Sequence, residues 1–165
     1  MAETAIRGNP VHTVGELPRV GTAAPSFTLT KTDLSDLTNA ELAGKRVVLN
    51  IFPSLDTAVC AASVRRFNEL ASGLDNTTVV CASADLPFAL NRFCGAEGLT
   101  NVVAASTFRS DFGTAYGVQL ADSKMAGLMA RSVVIFDEHG TVTYSKISPE
   151  ITEEPDYDEA IAALG

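Results

Sequence analysis

Residues Val47-Val48-Leu49-Asn50-Ile51-Phe52 form a nearly continuous apolar run. A short run of this kind reads as a strand covered on both faces, which places it centrally in a sheet with helices on each side. Residues 57–73 follow with a different period. Cys60, Val64, Phe67, Ala71 and Leu74 recur at helical spacing and make one apolar face, while Arg65, Arg66, Glu69 and Ser72 fall mostly on the other. The switch from strand to helix occurs within Pro53-Ser54-Leu55-Asp56-Thr57-Ala58-Val59-Cys60, so Cys60 belongs in the first turn of the helix.

The remaining chain repeats this alternation. Strands are expected at 77–83, 101–105, 132–137 and 141–147, the last two joined by a turn at Glu138-His139-Gly140. Helices are expected at 86–93, capped by Asp85 with Pro87 in its first turn and Gly95 at its C-terminus, at 108–112, and at 156–164. Gly8-Asn9-Pro10 reads as the turn of an N-terminal hairpin with strands near 3–6 and 11–14, and residues 15–25 as a connecting arm. Residues 113–129 carry few periodic cues and read mostly as loop. With 165 residues and no linker or repeat, the chain is expected to be a single α/β domain, residues 1–165, whose mixed sheet is layered on both faces.

Composition narrows the function. The chain is 46% hydrophobic and carries a net charge of −8, so it can build a core but is poorly suited to nucleic acid or an anionic membrane. No apolar run reaches the roughly 20 residues of a membrane span. The N-terminus MAETAIRGNPVHTV lacks a basic and then apolar leader, so a cytoplasmic location is expected. Three cysteines, Cys60, Cys81 and Cys94, do not make a secreted disulfide framework, and no C-x-x-C pair supports a zinc site. No cofactor or metal is implied. In a reducing compartment a disulfide is transient and catalytic.

A helix N-terminus leaves N–H groups without intrahelical acceptors and concentrates about half a positive charge, which stabilises a thiolate there. Thiolate formation alone achieves little. For any thiol, lowering the pKa by roughly 2.5 units raises the thiolate fraction at pH 7 about 30-fold, and the weaker nucleophile returns about tenfold of that. An efficient cysteine nucleophile must therefore also have its substrate aligned and the charge on the leaving atom stabilised. Thr57 offers a hydroxyl and Pro53 rigidifies and shields the loop. A cation must come from elsewhere.

Pro53, Thr57 and Cys60 match the P-x-x-x-T/S-x-x-C signature of peroxiredoxins. The strings NIFPSLDTAVCAASVRRFN and ADLPFALNRFCGAEGL, with GNPV, LPRVGTAAPSFTL, MAGLMARSVV and EITEEPDYDEAI, resemble bacterial thiol peroxidases, the atypical two-cysteine branch of that group. The resemblance runs along the chain. It implies a thioredoxin-like fold with an N-terminal hairpin and a homodimer. It also implies reduction of hydrogen peroxide and organic hydroperoxides, with thioredoxin or a similar dithiol as reductant. By the same resemblance Cys60 is peroxidatic and Cys94 resolving, Thr57 holds the peroxide and the thiolate, and Arg131 is the missing cation. Ala58 departs from the family, which often carries Pro or Gly there, and is expected to tune the loop.

Because Cys60 must face a peroxide pocket before bonding to Cys94, segments 57–62 and 90–95 are expected to shift or unwind to form a disulfide.

Other readings compete. A cysteine on an apolar helix face is ordinarily an inert core thiol, and Cys81, inside TTVVCASAD, is read so. A redox sensor or relay module needs the same reactive cysteine. A Cys–His hydrolase or transferase would need His12 or His139, and neither lies in a motif that places it beside Cys60. The acidic stretch 150–159 reads as a solvated face and helix N-terminus. Phe27, Phe52, Phe67 and Phe93 read as core, and residues 117–129 as an apolar pocket wall and dimer contact.

Overall fold

A computed structural model describes residues 1–164. The apolar run forms strand β5 (Arg46–Ile51), preceded by β1 (Glu3–Ile6), β2 (Asn9–His12), β3 (Thr28–Lys31) and β4 (Asp36–Thr38). It is followed by α1 (Ala58–Ala71), β6 (Thr77–Ser83), α2 (Pro87–Glu97), β7 (Val103–Ser106), α3 (Phe112–Ala115), β8 (Ser132–Phe136), β9 (Val142–Ile147) and α4 (Tyr157–Ala162). Seven strands form one mixed sheet in the order β4-β3-β7-β6-β5-β8-β9, with β5 parallel to β6 and antiparallel to β8. The first two strands form a separate hairpin.

The continuous apolar run is explained by burial on both sides. Val47, Leu49 and Ile51 pack with Phe27, Phe112 and Tyr116 on one face. Val48 and Phe52 pack with Val64, Phe67 and Leu90 on the other, where α1, α2 and α4 lie. The helical face read from the sequence is the buried one: Cys60, Val64 and Phe67 are fully covered, and Ala71 and Leu74 pack at the edge of the same layer. Phe93 is only half-buried there, with the Arg65 guanidinium over its ring.

Several local expectations are corrected. The hairpin turn is Arg7-Gly8, at φ +50° and +82°, not Gly8-Asn9-Pro10. Two successive left-handed residues make the tightest hairpin connection, so Pro10 becomes a strand residue opposite Ala5, tolerated because a two-stranded hairpin has free edges. Helix α2 runs through Gly95 and ends at Gly98, whose φ of +66° makes the left-handed cap. The short helix expected at 108–112 begins at Phe112, because Ser106 Oγ takes the Phe108 N–H and the chain turns there first. Strands β3 and β4 and a 3-10 helix at Asn39–Leu42 carried no sequence expectation. Residues 117–129 are largely irregular, held by isolated bridges from Leu120 to Thr13 and from Gln119 to Met129.

Asp85 does not cap α2. Leu86 is the cap residue and makes no side-chain bond. The Asp85 carboxylate instead accepts from Ser54 Oγ (2.7 Å), the Leu55 N–H (2.8 Å) and Ser83 Oγ (2.7 Å), and its carbonyl accepts from Ser106 Oγ. One side chain thereby fixes the loop before α1 to the ends of β6 and β7.

Two stability outcomes follow. Asp85→Ala strands the Leu55 N–H and two hydroxyls and is expected to lower unfolding free energy by about 1–3 kcal/mol, with faster amide exchange at Leu55. Gly117, at φ +66°, lies against the backbone of the connecting arm, where an added Cβ would sit 2.1 Å from the Glu16 carbonyl oxygen. Gly117→Ala is expected to cost about 2–4 kcal/mol in urea unfolding, from left-handed strain and overpacking together.

Candidate active site

Thr57 is the N-cap of α1, in extended conformation, without a side-chain capping bond. The first helical bond runs from the Ala61 N–H to the Thr57 carbonyl at 3.0 Å. Among the described residues the N–H groups of Ala58, Val59 and Cys60 are left without protein acceptors, as at any helix start. All three residues line a cavity of about 380 Å3 together with Pro53, Thr57, Arg131, Ile6, Arg7, Met125, Ile151 and Thr152.

Arg131 stands at the residue before β8 and is 1% exposed. Its Nη2 lies 3.0 Å from Cys60 Sγ, its Nε donates to the Ile151 carbonyl at 2.8 Å, and its Nη1 has no partner. The Cys60 side chain is fully covered. A cation at hydrogen-bond distance is what makes a buried anionic sulfur tolerable. Nη1 is a second charged donor, buried and without a partner among the described residues.

The Thr57 hydroxyl does not reach the sulfur. It donates to the Ser54 carbonyl at 2.9 Å, so its single proton is engaged and its lone pairs remain open to a donor in the cavity. Pro53 is buried beside it.

The acidic stretch 150–159 is not simply a solvated face. Ile151 is buried, its carbonyl aims Arg131, and its N–H donates to the Ala5 carbonyl at 2.8 Å. Glu150 accepts from the N–H groups of Gly8 (2.8 Å) and Thr152 (3.0 Å) and from the Thr152 hydroxyl. These bonds, the Thr152 N–H first, hold its carboxyl down at about 2. A depressed carboxylate keeps its tie at all pH values above that and loses it only as pH falls through it. Thr4 Oγ1 donates to the Ser148 carbonyl at 2.6 Å. The hairpin is thus bolted to the strap 148–152 that orients Arg131. Sequence reading missed Ile6, Ile151 and Thr152 as lining residues. Ile151, a single apolar residue inside an acidic stretch, was the available signal.

Cys94 lies in the interior of α2, half-buried, and lines a different groove of about 500 Å3 with Lys31, Asn91, Leu99 and Val103. Partial burial pushes its thiol above the ordinary range. Cys81 is fully buried, and desolvation pushes it up to about 12. All three cysteines are free thiols. The structure therefore gathers Pro53, Thr57, Cys60 and Arg131 and leaves Cys94 outside that cavity.

Neither histidine enters the Cys60 cavity. His12 does have partners: Nδ1 is 2.8 Å from Asp122 and Nε2 is 3.3 Å from Glu3. The hydrogen bond to Asp122 chiefly raises its pKa. The charged pairing is accordingly present in full below the unfolded-state value and disappears as pH rises through the raised one. It pins the hairpin to the segment before Arg131, which is a structural use.

The family model described as Redoxin matches residues 19–161. The thiol peroxidases of Mycobacterium tuberculosis and Corynebacterium glutamicum are 55% and 54% identical over 165 and 164 residues, covering 100% and 99% of this chain and 99% of each relative. A crystal structure of a peroxiredoxin-like protein from Aquifex aeolicus is similar with a TM-score of 0.92 at 38% identity, covering 99% of this chain and 96% of that one. Identity above one half along the entire length, together with the matching family model, establishes that the chain belongs to the Redoxin family, among its thiol peroxidases.

Proposed function

We propose that this thiol peroxidase works through Cys60 as the attacking sulfur and Cys94 as the resolving one. The observation that carries the first assignment is the Arg131 guanidinium, with one donor 3.0 Å from Cys60 Sγ and another buried without a partner among the described residues. The Cys60 thiolate attacks the terminal peroxide oxygen. An S–O bond forms, the O–O bond breaks, and the departing alkoxide or hydroxide takes a proton to leave as alcohol or water. Sulfur is oxidised by two electrons to the sulfenic acid. Arg131 Nη1 and the open N–H groups of the first turn of α1 are placed to receive the charge that develops on oxygen. Thr57, its own proton committed to Ser54, accepts from the hydroperoxide O–H and orients it.

The Cys94 thiolate then attacks the sulfenic sulfur, forming the Cys60–Cys94 disulfide and releasing water once a proton is taken up. Because the two cysteines line separate cavities and both sit in intact helices, the starts of α1 and the middle of α2 must yield for this step. A dithiol such as thioredoxin returns both thiols, being oxidised to its own disulfide. The groove beside Cys94 gives that partner access. The cytoplasm is the compartment such a transient disulfide fits. Among the described residues no helix is long and apolar enough to cross a membrane.

The exposed Leu86, Phe88 (68% exposed) and Phe108 support the homodimer reading.

Cys60→Ser is expected to abolish peroxide consumption; full activity in that variant would overturn the assignment. Arg131→Gln is expected to lower kcat/KM by about 100- to 1,000-fold, the scale of one lost charged donor at a developing oxyanion. Mass spectrometry after one equivalent of peroxide should find a Cys60–Cys94 bridge with Cys81 still reduced. Steady-state turnover with thioredoxin separates a catalyst from a redox sensor, which would oxidise once.

The raised Cys94 thiol sets a further outcome. At neutral pH it is mostly protonated, so disulfide formation should accelerate by up to about tenfold per pH unit from about 7 to 9. The chain has no tryptophan, so rapid quenching with alkylation and mass analysis is the suitable measurement.

A further inference from the structure

The Cys60 cavity is large for the smallest peroxide. Hydrogen peroxide needs little more room than a water molecule, about 30 Å3, and the cavity is about 380 Å3. The surplus is walled by Ile6, Pro53, Val59, Met125 and Ile151, which suits an apolar body.

The charges of the lining run against those of the chain. The sequence holds 20 acidic and 12 basic residues, yet among the described residues the cavity lining contains two arginines and no carboxylate. Arg131 is sealed at the sulfur end. Arg7 is the solvent-exposed one, at the hairpin turn. It makes no ion pair among the described residues, and its backbone is held at φ +50°. That conformation is uncommon for a long side chain and is normally given to glycine or asparagine. Glu150 has its oxygens committed to Gly8 and Thr152, so it fixes the turn without lining the cavity.

We propose that Arg7 is a specificity-determining residue at the cavity mouth, selecting organic hydroperoxides that carry a carboxylate away from the peroxide group. The hydroperoxide goes to Cys60 and Arg131, the hydrocarbon lies along Ile6, Met125 and Ile151, and the carboxylate meets the Arg7 guanidinium. This rests on the peroxidase reading above and adds the class of substrate. An exposed pair is worth at most about 1 kcal/mol, a factor of about three to five.

The test compares kcat/KM for a primary alkyl hydroperoxide with a terminal carboxylate and for its methyl ester, in a short chain-length series. The ratio is taken within each protein, so any general loss of activity cancels. Wild type should prefer the acid by about three- to fivefold at its best length, and the preference should shrink as salt is raised. Arg7→Gln should bring the ratio to about one, while Arg7→Lys should keep part of it. A wild-type ratio of one at every length, or a preference that survives in Arg7→Gln, overturns the proposal. Full activity toward the methyl ester in Cys60→Ser would instead overturn the Cys60 reading, so the two failures are distinguishable.

Discussion

The contact between the Arg131 guanidinium and Cys60 sulfur is what the rest of the site is arranged to hold. A buried arginine is costly unless its donors are met. One donor is met by the Ile151 carbonyl and one by sulfur. The Ile151 carbonyl is in place because its segment is fastened to the N-terminal hairpin through Ala5, Thr4 and Gly8. The contact therefore depends on four parts of the chain that are remote in sequence: the first twelve residues, the strand-to-helix junction at 53–60, Arg131 at the start of β8, and the strap after β9. The hairpin has no share in the main sheet and would look dispensable from the topology alone. Its bonds to the strap make it a structural member of the active site.

Two demands on the same loop pull against each other. Peroxide chemistry wants residues 53–60 rigid, and Asp85 supplies that rigidity with three accepted hydrogen bonds, helped by an exposed Arg92–Asp56 pair. The disulfide proposed between Cys60 and Cys94 needs the same loop to yield toward α2. Asp85 lies two residues before α2, so the group that restrains one cysteine-bearing segment is anchored near the start of the other. The three hydrogen bonds accepted by Asp85 are what the proposed disulfide would have to work against.

How much of this was legible in the sequence depended on range. The central strand and α1 were readable because period and spacing are local properties, and burial of Val47, Leu49 and Ile51 on one face and Val48 on the other is what a continuous apolar run means. The place of Cys60 followed from the same junction. Asp85 was read as a helix cap because a carboxylate before a helix ordinarily accepts that helix's N–H groups. Here Ser54, Leu55 and Ser83 competed for it and won, and no local pattern announces them. Arg131 was located only by resemblance, since nothing near it in sequence indicates a cysteine 71 residues away. Glu150 and Ile151 were hidden inside an acidic stretch whose composition says solvent and whose backbone does the positioning. The hairpin turn was displaced by one residue because Arg7, not an expected turn former, takes the left-handed conformation.

Cys60 and Cys81 offer an internal comparison. Both are fully covered, and both belong to the apolar layer between the sheet and α1 and α2. Burial alone gives an inert thiol, and Cys81 shows it: its polar neighbour is the Asn50 amide at 3.7 Å, too weak an interaction to offset desolvation, and its thiol stands near 12. Cys60 differs by its position at the start of a helix and by the guanidinium at 3.0 Å. In the proposed reaction the larger consequence of that guanidinium lies in its other donor, which is buried without a partner among the described residues. On the proposed assignment, what separates Cys60 from the core cysteine Cys81 is the charged donor beside it that is left unsatisfied.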